Sequence, residues 1–170
     1  MAQSNIEIVQ VNYRHGAQVK ELIELLNAYA MDPMGGGVPL SGEVKERLLK
    51  DLPAQSNIFS LLVRVDGKGV GFCNCLWGYS TFAAQPLVNI HDLGVVTDCR
   101  GQGLSQVLLQ AVVDIAKQGG AVKVTLEVLG NNAIAQGAYR RFGFAPYELT
   151  ENAGRAEFWQ YYLDTSCSGS

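Results

Sequence analysis

Apolar residues recur along this chain in two rhythms. Between residues 88 and 96 they form a nearly continuous run, Val88, Ile90, Leu93, Val95 and Val96, with the length and density of a buried strand. From residue 104 they return every third or fourth position, as Leu104, Val107, Leu108, Ala111, Val112, Ile115 and Ala116. That spacing lays one buried stripe along a helix. The same rhythms parse the rest. Ile6, Ile8 and Val11 predict a strand over 6–12; Val19, Leu22, Ile23 and Leu26, with Tyr29 or Ala30, predict a helix over 18–30. Residues 31–39 carry Gly35, Gly36 and Gly37 and read as a loop, either a mobile lid or a slack connector. Ser41 stands as N-cap to a helix over 43–52 with Val44, Leu48, Leu49 and Leu52 on one side. Strands over 58–65 and 70–77 meet at Asp66-Gly67, a hairpin turn, and 78–87 read as a polar-aromatic loop or an irregular strand extension. After the central strand and helix, Gly119 and Gly120 stop the helix. Val122, Val124, Leu126 and Val128 predict a strand over 122–129, and Ala133 to Phe142 a helix stopped by Gly143. Residues 146–150 and 156–163 close as an antiparallel pair around 152–155.

The order is β-α-α-β-β-β-α-β-α-β-β. It predicts an α/β fold with a mixed sheet of about seven strands flanked by four helices. One domain over 5–164, with a flexible tail over 165–170, accounts for all 170 residues. A hydrophobic fraction of 48% excludes disorder, and a net charge of −3 offers no general attraction to nucleic acid or an anionic membrane. No apolar run is long enough to span a bilayer, and the first residues lack the pattern of a signal peptide, so a cytoplasmic protein is expected. Of the four cysteines, Cys73 and Cys75 share one strand face but are poorly placed to bridge each other; Cys99 sits beside a glycine loop and Cys167 in the tail. No His/Cys cluster has metal spacing, so no metal is expected.

The chemistry begins between the central strand and helix, at Arg100, Gly101 and Gly103. A strand, a glycine loop and a helix N-terminus make an anion site: the first helical N–H groups lack partners, and glycines let a phosphate approach the backbone closely. No Gly-Lys-Ser/Thr follows, and Gln106 stands where a dinucleotide fingerprint needs its third glycine. The stretch Arg100-Gly101-Gln102-Gly103-Leu104-Ser105 instead resembles the pyrophosphate loop of the GNAT N-acetyltransferases, with Ser105 where that family usually has Gly or Ala. A second motif agrees. Leu126-Glu127-Val128, then Asn132, Tyr139 seven residues on, and Gly143-Phe144 resemble that family's strand, helix and tyrosine pattern. The predicted order of elements is also similar to the GNAT fold across most of the chain.

The resemblance implies acetyl-CoA as cosubstrate. Its pyrophosphate would meet the N–H groups of Gln102, Gly103, Leu104 and Ser105, with Arg100, Arg140 or Arg141 adding charge. Its pantetheine would lie along the backbone of Leu93, Gly94 and Val95, where the fourth and fifth strands splay. The Leu93 N–H would serve as oxyanion donor, and Asn132 would bind the cofactor or cap its own helix. Tyr139 would be the general acid to the departing thiolate. The base is more open. His91 titrates in a useful range as a residue type, and a weaker similarity to the spermidine/spermine N-acetyltransferases puts His91 and Asp92 where those enzymes carry a Glu-Asp pair. His91, Asp92 or a chain of waters would take the amine proton, and His91 also reads as a plain strand histidine.

By the same resemblance the acceptor would be lined by Tyr29, Asp32, the triple-glycine loop, Trp77, Tyr79 and Phe82. Aromatic faces with carboxylates suit a cationic amine, whether a small molecule, a lysine or a peptide N-terminus. The expected activity is direct transfer of an acetyl group to a primary amine in a ternary complex. The competing expectation is a catalytically silent module that binds or senses CoA. A homodimer through the C-terminal strands is expected from the aromatic run Phe158, Trp159, Tyr161 and Tyr162.

Overall fold

The computed structural model describes residues 4–148, 150 and 154–163. Its elements run β1 (Ile6–Gln10), α1 (Gly16–Met31), α2 (Gly42–Asp51), β2 (Ile58–Val65), β3 (Lys68–Ser80), β4 (Gln85–Val95), α3 (Leu104–Gln118), β5 (Val124–Leu126) and α4 (Ala133–Phe142), joined in part by single helical turns. The sheet has the order β1-β2-β3-β4-β5. β1 to β4 form an antiparallel meander, and β5 returns parallel to β4 through α3, the crossover a parallel pair requires.

Two cores hold the layers together. On one face Phe59, Leu61, Cys73, Val88 and Ile90 meet Leu104, Leu108, Leu109 and Val112 of α3. On the other Leu62 and Phe72 meet Val19, Leu22, Ile23 and Leu25 of α1. Leu108 and Val112 are wholly buried, as the spacing of the α3 stripe predicts; Leu109, outside that stripe, is wholly buried too, while Val107, within it, is exposed. Each wholly buried side chain contributes about 1.5–3 kcal/mol by leaving water. α1 is also tied to the β2–β3 hairpin. Glu21 pairs with Arg64 at 2.5 Å and accepts the Gly69 N–H at 3.0 Å.

Of the two readings of residues 78–87, the structure has the strand extension, with a turn over 81–84. These residues extend the β3–β4 hairpin, with Gly78 opposite Leu87 and Ser80 opposite Gln85. Backbone pairing across a tight turn overrides the mixed side-chain pattern there. Among the described residues the sheet has five strands, not about seven, and β5 is three residues long rather than eight. Only Val88, Asn89 and Ile90 pair with it before β4 and β5 part. The expected last pair reduces to one bridge, Glu148 to Arg155, with Ala156 N–H on the Tyr147 carbonyl. A three-residue β5 presents little edge for further pairing. The side chains over 156–163 are all exposed, so no buried face fixes a strand register there. Of the expected closing segments, 149, 151–153 and 164 lie outside the described residues, as do the tail over 165–170 and Cys167.

The feature that positions the site is a bulge in β4. Cys75 faces Ile90 and Asn74 faces Asp92, so His91 is one residue too many for the ladder. Its effect is to exchange faces. Before it, Val88 and Ile90 point into the α3 core; after it, Leu93 and Val95 take that side, while Gly94 lies against Phe72 and Tyr29 on the α1 side.

Candidate active site

β4 outruns β5. Beyond Ile90, β4 continues to Val95 paired with β3 alone. At its end a cleft of about 260 Å³ lies against α1, lined among others by Tyr29, Phe72, Gly94, Val95 and Arg100. Gly94 is what lets the helix lie so close: a Cβ there would stand 2.8 Å from a ring carbon of Phe72 and 3.1 Å from one of Tyr29. Tyr29 in turn meets Phe72 edge-on at 5.9 Å.

Asp92 is half-buried on this side and accepts a hydrogen bond from Asn74 Nδ2 at 3.0 Å. Burial raises the pKa of the Tyr29 hydroxyl, and the carboxylates of Asp92 and Asp32 raise it further. Tyr139 reaches the same neighbourhood from α4. It is half-buried, lies edge-on to Phe144 at 6.1 Å, and its pKa is pushed up to about 12 by burial first, then by Tyr29 and Cys73. Its hydroxyl therefore holds its proton throughout the neutral range and can donate it. Tyr29, Asp92, Cys73 and Tyr139 thus share one electrostatic environment, reached from both faces of the sheet. His91, the bulged residue, is exposed beside it.

Arg100 Nε donates to the Val95 carbonyl at 2.9 Å and its Nη2 to Asp32 Oδ2 at 2.8 Å. Asp32 also accepts the Met34 N–H at 2.9 Å, and this bond, then Arg100, holds its carboxyl below the usual carboxylate range. In this structure the guanidinium braces the loop to α1. Arg140 is likewise turned to Gln136, at 3.1 Å.

The loop itself has the predicted form. Gly101 and Gly103 have φ of 77° and 80°, a region open chiefly to glycine, and nothing lies within 4 Å of where a Cβ would project. Gly103 is the N-cap of α3 and supplies no side-chain cap. Among the described residues, the N–H groups of Gln102, Gly103, Leu104 and Ser105 donate to no protein acceptor. Four such donors at a helix N-terminus fit a phosphate or pyrophosphate group. Leu104, buried at 2% exposure, fixes the helix behind them.

The structure separates some expected neighbours. Asn132 Oδ1 accepts the Ala135 N–H at 3.1 Å and caps α4, so this oxygen serves the helix rather than a ligand. Trp77 is a core residue, tilted on Phe59 at 5.8 Å and pressed against Gly119, where any Cβ would collide with its ring. Tyr79 and Phe82 project from the far end of the β3–β4 hairpin, at 61% and 106% exposure. Tyr79 is opposite Pro86, six residues and roughly 20 Å along β4 from Asp92. Of the expected acceptor set, only Tyr29 lines the cleft beside β4, and Asp32 reaches its edge through Arg100. The triple-glycine loop folds back on α1: Val38 N–H bonds the Ala30 carbonyl, Gly37 N–H that of Asp32, and Gly35 sits so tightly on the Tyr29 carbonyl that only glycine fits. Sequence reasoning passed over Asn74 and Ser60. The signal was there, as a polar residue inside each of two otherwise apolar strands.

Among the described residues no group of three or more His, Cys, Asp or Glu could hold a metal, and no helix is long and apolar enough to cross a membrane. A model of the acetyltransferase (GNAT) family matches residues 20–144. Among curated proteins, a putative [ribosomal protein bS18]-alanine N-acetyltransferase of Bacillus subtilis is 30% identical over 104 residues, 61% of this chain and 60% of that protein. The streptothricin acetyltransferase of Streptomyces lavendulae is 38% identical over 92 residues, 54% of this chain and 46% of that protein. The chain spans about half the length of the curated relatives it matches. Among solved structures, an integron cassette protein from the mobile metagenome of V. cholerae superposes with a TM-score of 0.75 at 16% identity, over 94% of this chain and 93% of that one. An aminoglycoside acetyltransferase from an uncultured soil metagenomic sample, in complex with sisomicin, gives 0.71 at 20% identity, over 93% and 96%. At such identities these two show a shared fold.

Proposed function

The chain belongs to the acetyltransferase (GNAT) family, and from that membership we propose that it is an acetyl-CoA-dependent N-acetyltransferase that moves an acetyl group directly onto a primary amine. The observation that carries this reading is the coincidence of three features at one place. They are the parting of β4 from β5 after Ile90, the bare N–H groups at the start of α3, and Tyr139 close to Tyr29 and Cys73 with its proton retained.

Acetyl-CoA supplies an activated acyl group as a thioester. The chain's residues divide the remaining work. The amides of Gln102, Gly103, Leu104 and Ser105 bind the pyrophosphate. The backbone of Leu93, Gly94 and Val95 holds the pantetheine, and the Leu93 N–H faces the thioester oxygen as oxyanion donor. The Val95 carbonyl already accepts from Arg100 Nε, so a pantetheine N–H would share it through its second lone pair or displace the guanidinium. The ammonium of the acceptor is drawn to Asp92 and oriented against Tyr29. An amine must lose a proton before it attacks, and His91, exposed beside the cleft, takes it. Tyr139 donates its proton to the sulfur as it leaves. Asn132, through the amide nitrogen its cap leaves over, is a further contact for the cofactor.

The acceptor is an amine presented on a small molecule, a lysine or a peptide N-terminus. Relatives named for a ribosomal protein's alanine and for streptothricin support either class. The test is release of free thiol from acetyl-CoA over a panel of polyamines, amino acids, aminoglycosides and short peptides. Thiol released in proportion to one class of amine supports the proposal. Tight CoA binding with no thiol release on the whole panel would favour a sensing module instead.

A further inference from the structure

A row of polar side chains crosses the sheet beneath the site, on the face that carries α1. Ser60 of β2, Asn74 of β3 and Asp92 of β4 are consecutive partners in register. Among the described residues Ser60, at 1% exposure, is the one buried polar side chain in the core. Tyr13, just beyond β1, completes the row. Its hydroxyl lies 2.8 Å from Ser60 Oγ, Ser60 Oγ lies 2.6 Å from Asn74 Oδ1, and Asn74 Nδ2 lies 3.0 Å from Asp92 Oδ2.

The direction of every bond is forced. A carboxylate only accepts, so Asn74 must turn its NH₂ to Asp92 and its carbonyl to Ser60. Ser60 then donates its single proton to Asn74 and must accept from Tyr13. Burial keeps Tyr13 a donor by raising its pKa, an effect that Ser60 partly offsets and Cys75 adds to. Three donors thus point one way, toward the carboxylate. Had Asp92 been on the opposite face, none of this row would reach it. The bulge at His91 is what brings Asp92 into line with Asn74.

We infer that Asn74, backed by Ser60 and Tyr13, is a positioning residue that holds the Asp92 carboxylate aimed at the acceptor's ammonium. This rests on the acetyl-transfer reading above. The groups around Asp92 are Tyr29 from α1, Asn74 from β3 on the same face and His91 beside it on β4; Cys73, on the opposite face of β3, feels its charge through the sheet, and Tyr139 reaches Tyr29 and Cys73 from α4. Of these, only Asn74 is hydrogen-bonded to the carboxylate among the described residues. Without that bond the carboxylate is free to rotate off the cleft or to pair with Tyr29.

The test is a double-mutant cycle on the full chain between Asn74→Leu and Asp92→Asn, with acetyl-CoA and the best amine of the panel. Asn74→Leu should raise the amine KM so that kcat/KM falls roughly 10- to 100-fold, the range for a lost hydrogen bond to a charged group. Affinity for acetyl-CoA should hold, because Asn74 is on the face away from the glycine loop and α3. Asp92→Asn should fall at least as far, and adding Asn74→Leu to it should change little further. Ser60→Ala removes one hydroxyl, leaves Asn74 in place and should give a smaller change in the same direction; it carries the test should Asn74→Leu fail to fold. Additive losses in the cycle, or an equal loss of acetyl-CoA binding, would overturn the inference. The same cycle read by urea unfolding reports the Asn74–Asp92 coupling even if no amine proves to be a substrate. Coupling without turnover would then fault the activity, and absence of coupling would fault the pairing.

Discussion

At the scale of single residues, Tyr139 and His91 make different demands on pH. Tyr139 must keep its proton to protonate a thiolate, and with its pKa pushed up to about 12 it does so well past the neutral range. Tyr139→Phe removes one hydroxyl and keeps the ring on Phe144. Turnover should fall roughly 10²- to 10⁴-fold while acetyl-CoA binding, measured by titration, stays as it was. The same shift has a consequence for stability. A folded-state pKa above the ordinary 10.0 adds stability that is complete below pH 10 and is lost as pH rises to about 12. Urea midpoints at pH 9 and pH 11 should therefore differ less in Tyr139→Phe than in the parent. His91→Ala should instead erase the acidic limb of the pH–rate profile, and higher pH should restore part of the rate, because amine deprotonated in bulk water still reacts. An unaltered profile would hand the proton to Asp92 or to water. The place of Tyr139 on α4, ahead of Gly143-Phe144, was legible in the sequence. Asn74 and Ser60 were not, because their role depends on which strands lie side by side and in what register.

At the scale of elements, the start of α3 is the part that sequence specifies best. Gly101 and Gly103 were expected to let a phosphate approach the backbone, and both also adopt left-handed φ. Gly103→Val asks a β-branched residue to adopt φ near 80°, which costs on the order of 1–2 kcal/mol or moves the loop. Acetyl-CoA affinity should fall by about tenfold or more while the far-UV spectrum is unchanged; equally tight binding by a folded variant would displace the pyrophosphate from this loop. Arg100 shows the limit of reading a loop locally. Its partners, Val95 and Asp32, are 5 and 68 residues away in the chain, and the second is brought near only by α1. The hairpin over 78–87 shows the same limit, since ladder bonds between two backbones leave no mark on the side-chain pattern.

At the scale of the whole molecule, the order of helices and strands was legible as far as α4, because each element buries a periodic face. It failed beyond, where no face is buried. Phe158, Trp159, Tyr161, Tyr162 and Leu163 stand 73%, 83%, 89%, 80% and 78% exposed. So much aromatic surface in one short stretch is unusual for a chain that works alone. We expect it to be covered by a second copy in a homodimer. Light scattering at micromolar concentration should give twice the mass of the 18.4 kDa chain, and Trp159→Ser with Tyr161→Ser should return it to a monomer.

The bulge in β4 also bears on which mutations of length this gene can survive. Losing one codon from a regular strand turns every later side chain to the wrong face. At His91 the arithmetic reverses. Ile90 and Asp92 already occupy neighbouring rungs opposite Cys75 and Asn74, so deleting the residue between them leaves Leu93, Gly94 and Val95 on the faces they have now. A protein lacking His91 should melt within a few degrees of the parent, whereas deletion of Leu93 should prevent folding. Natural relatives that differ by one residue in this strand are then expected to differ here.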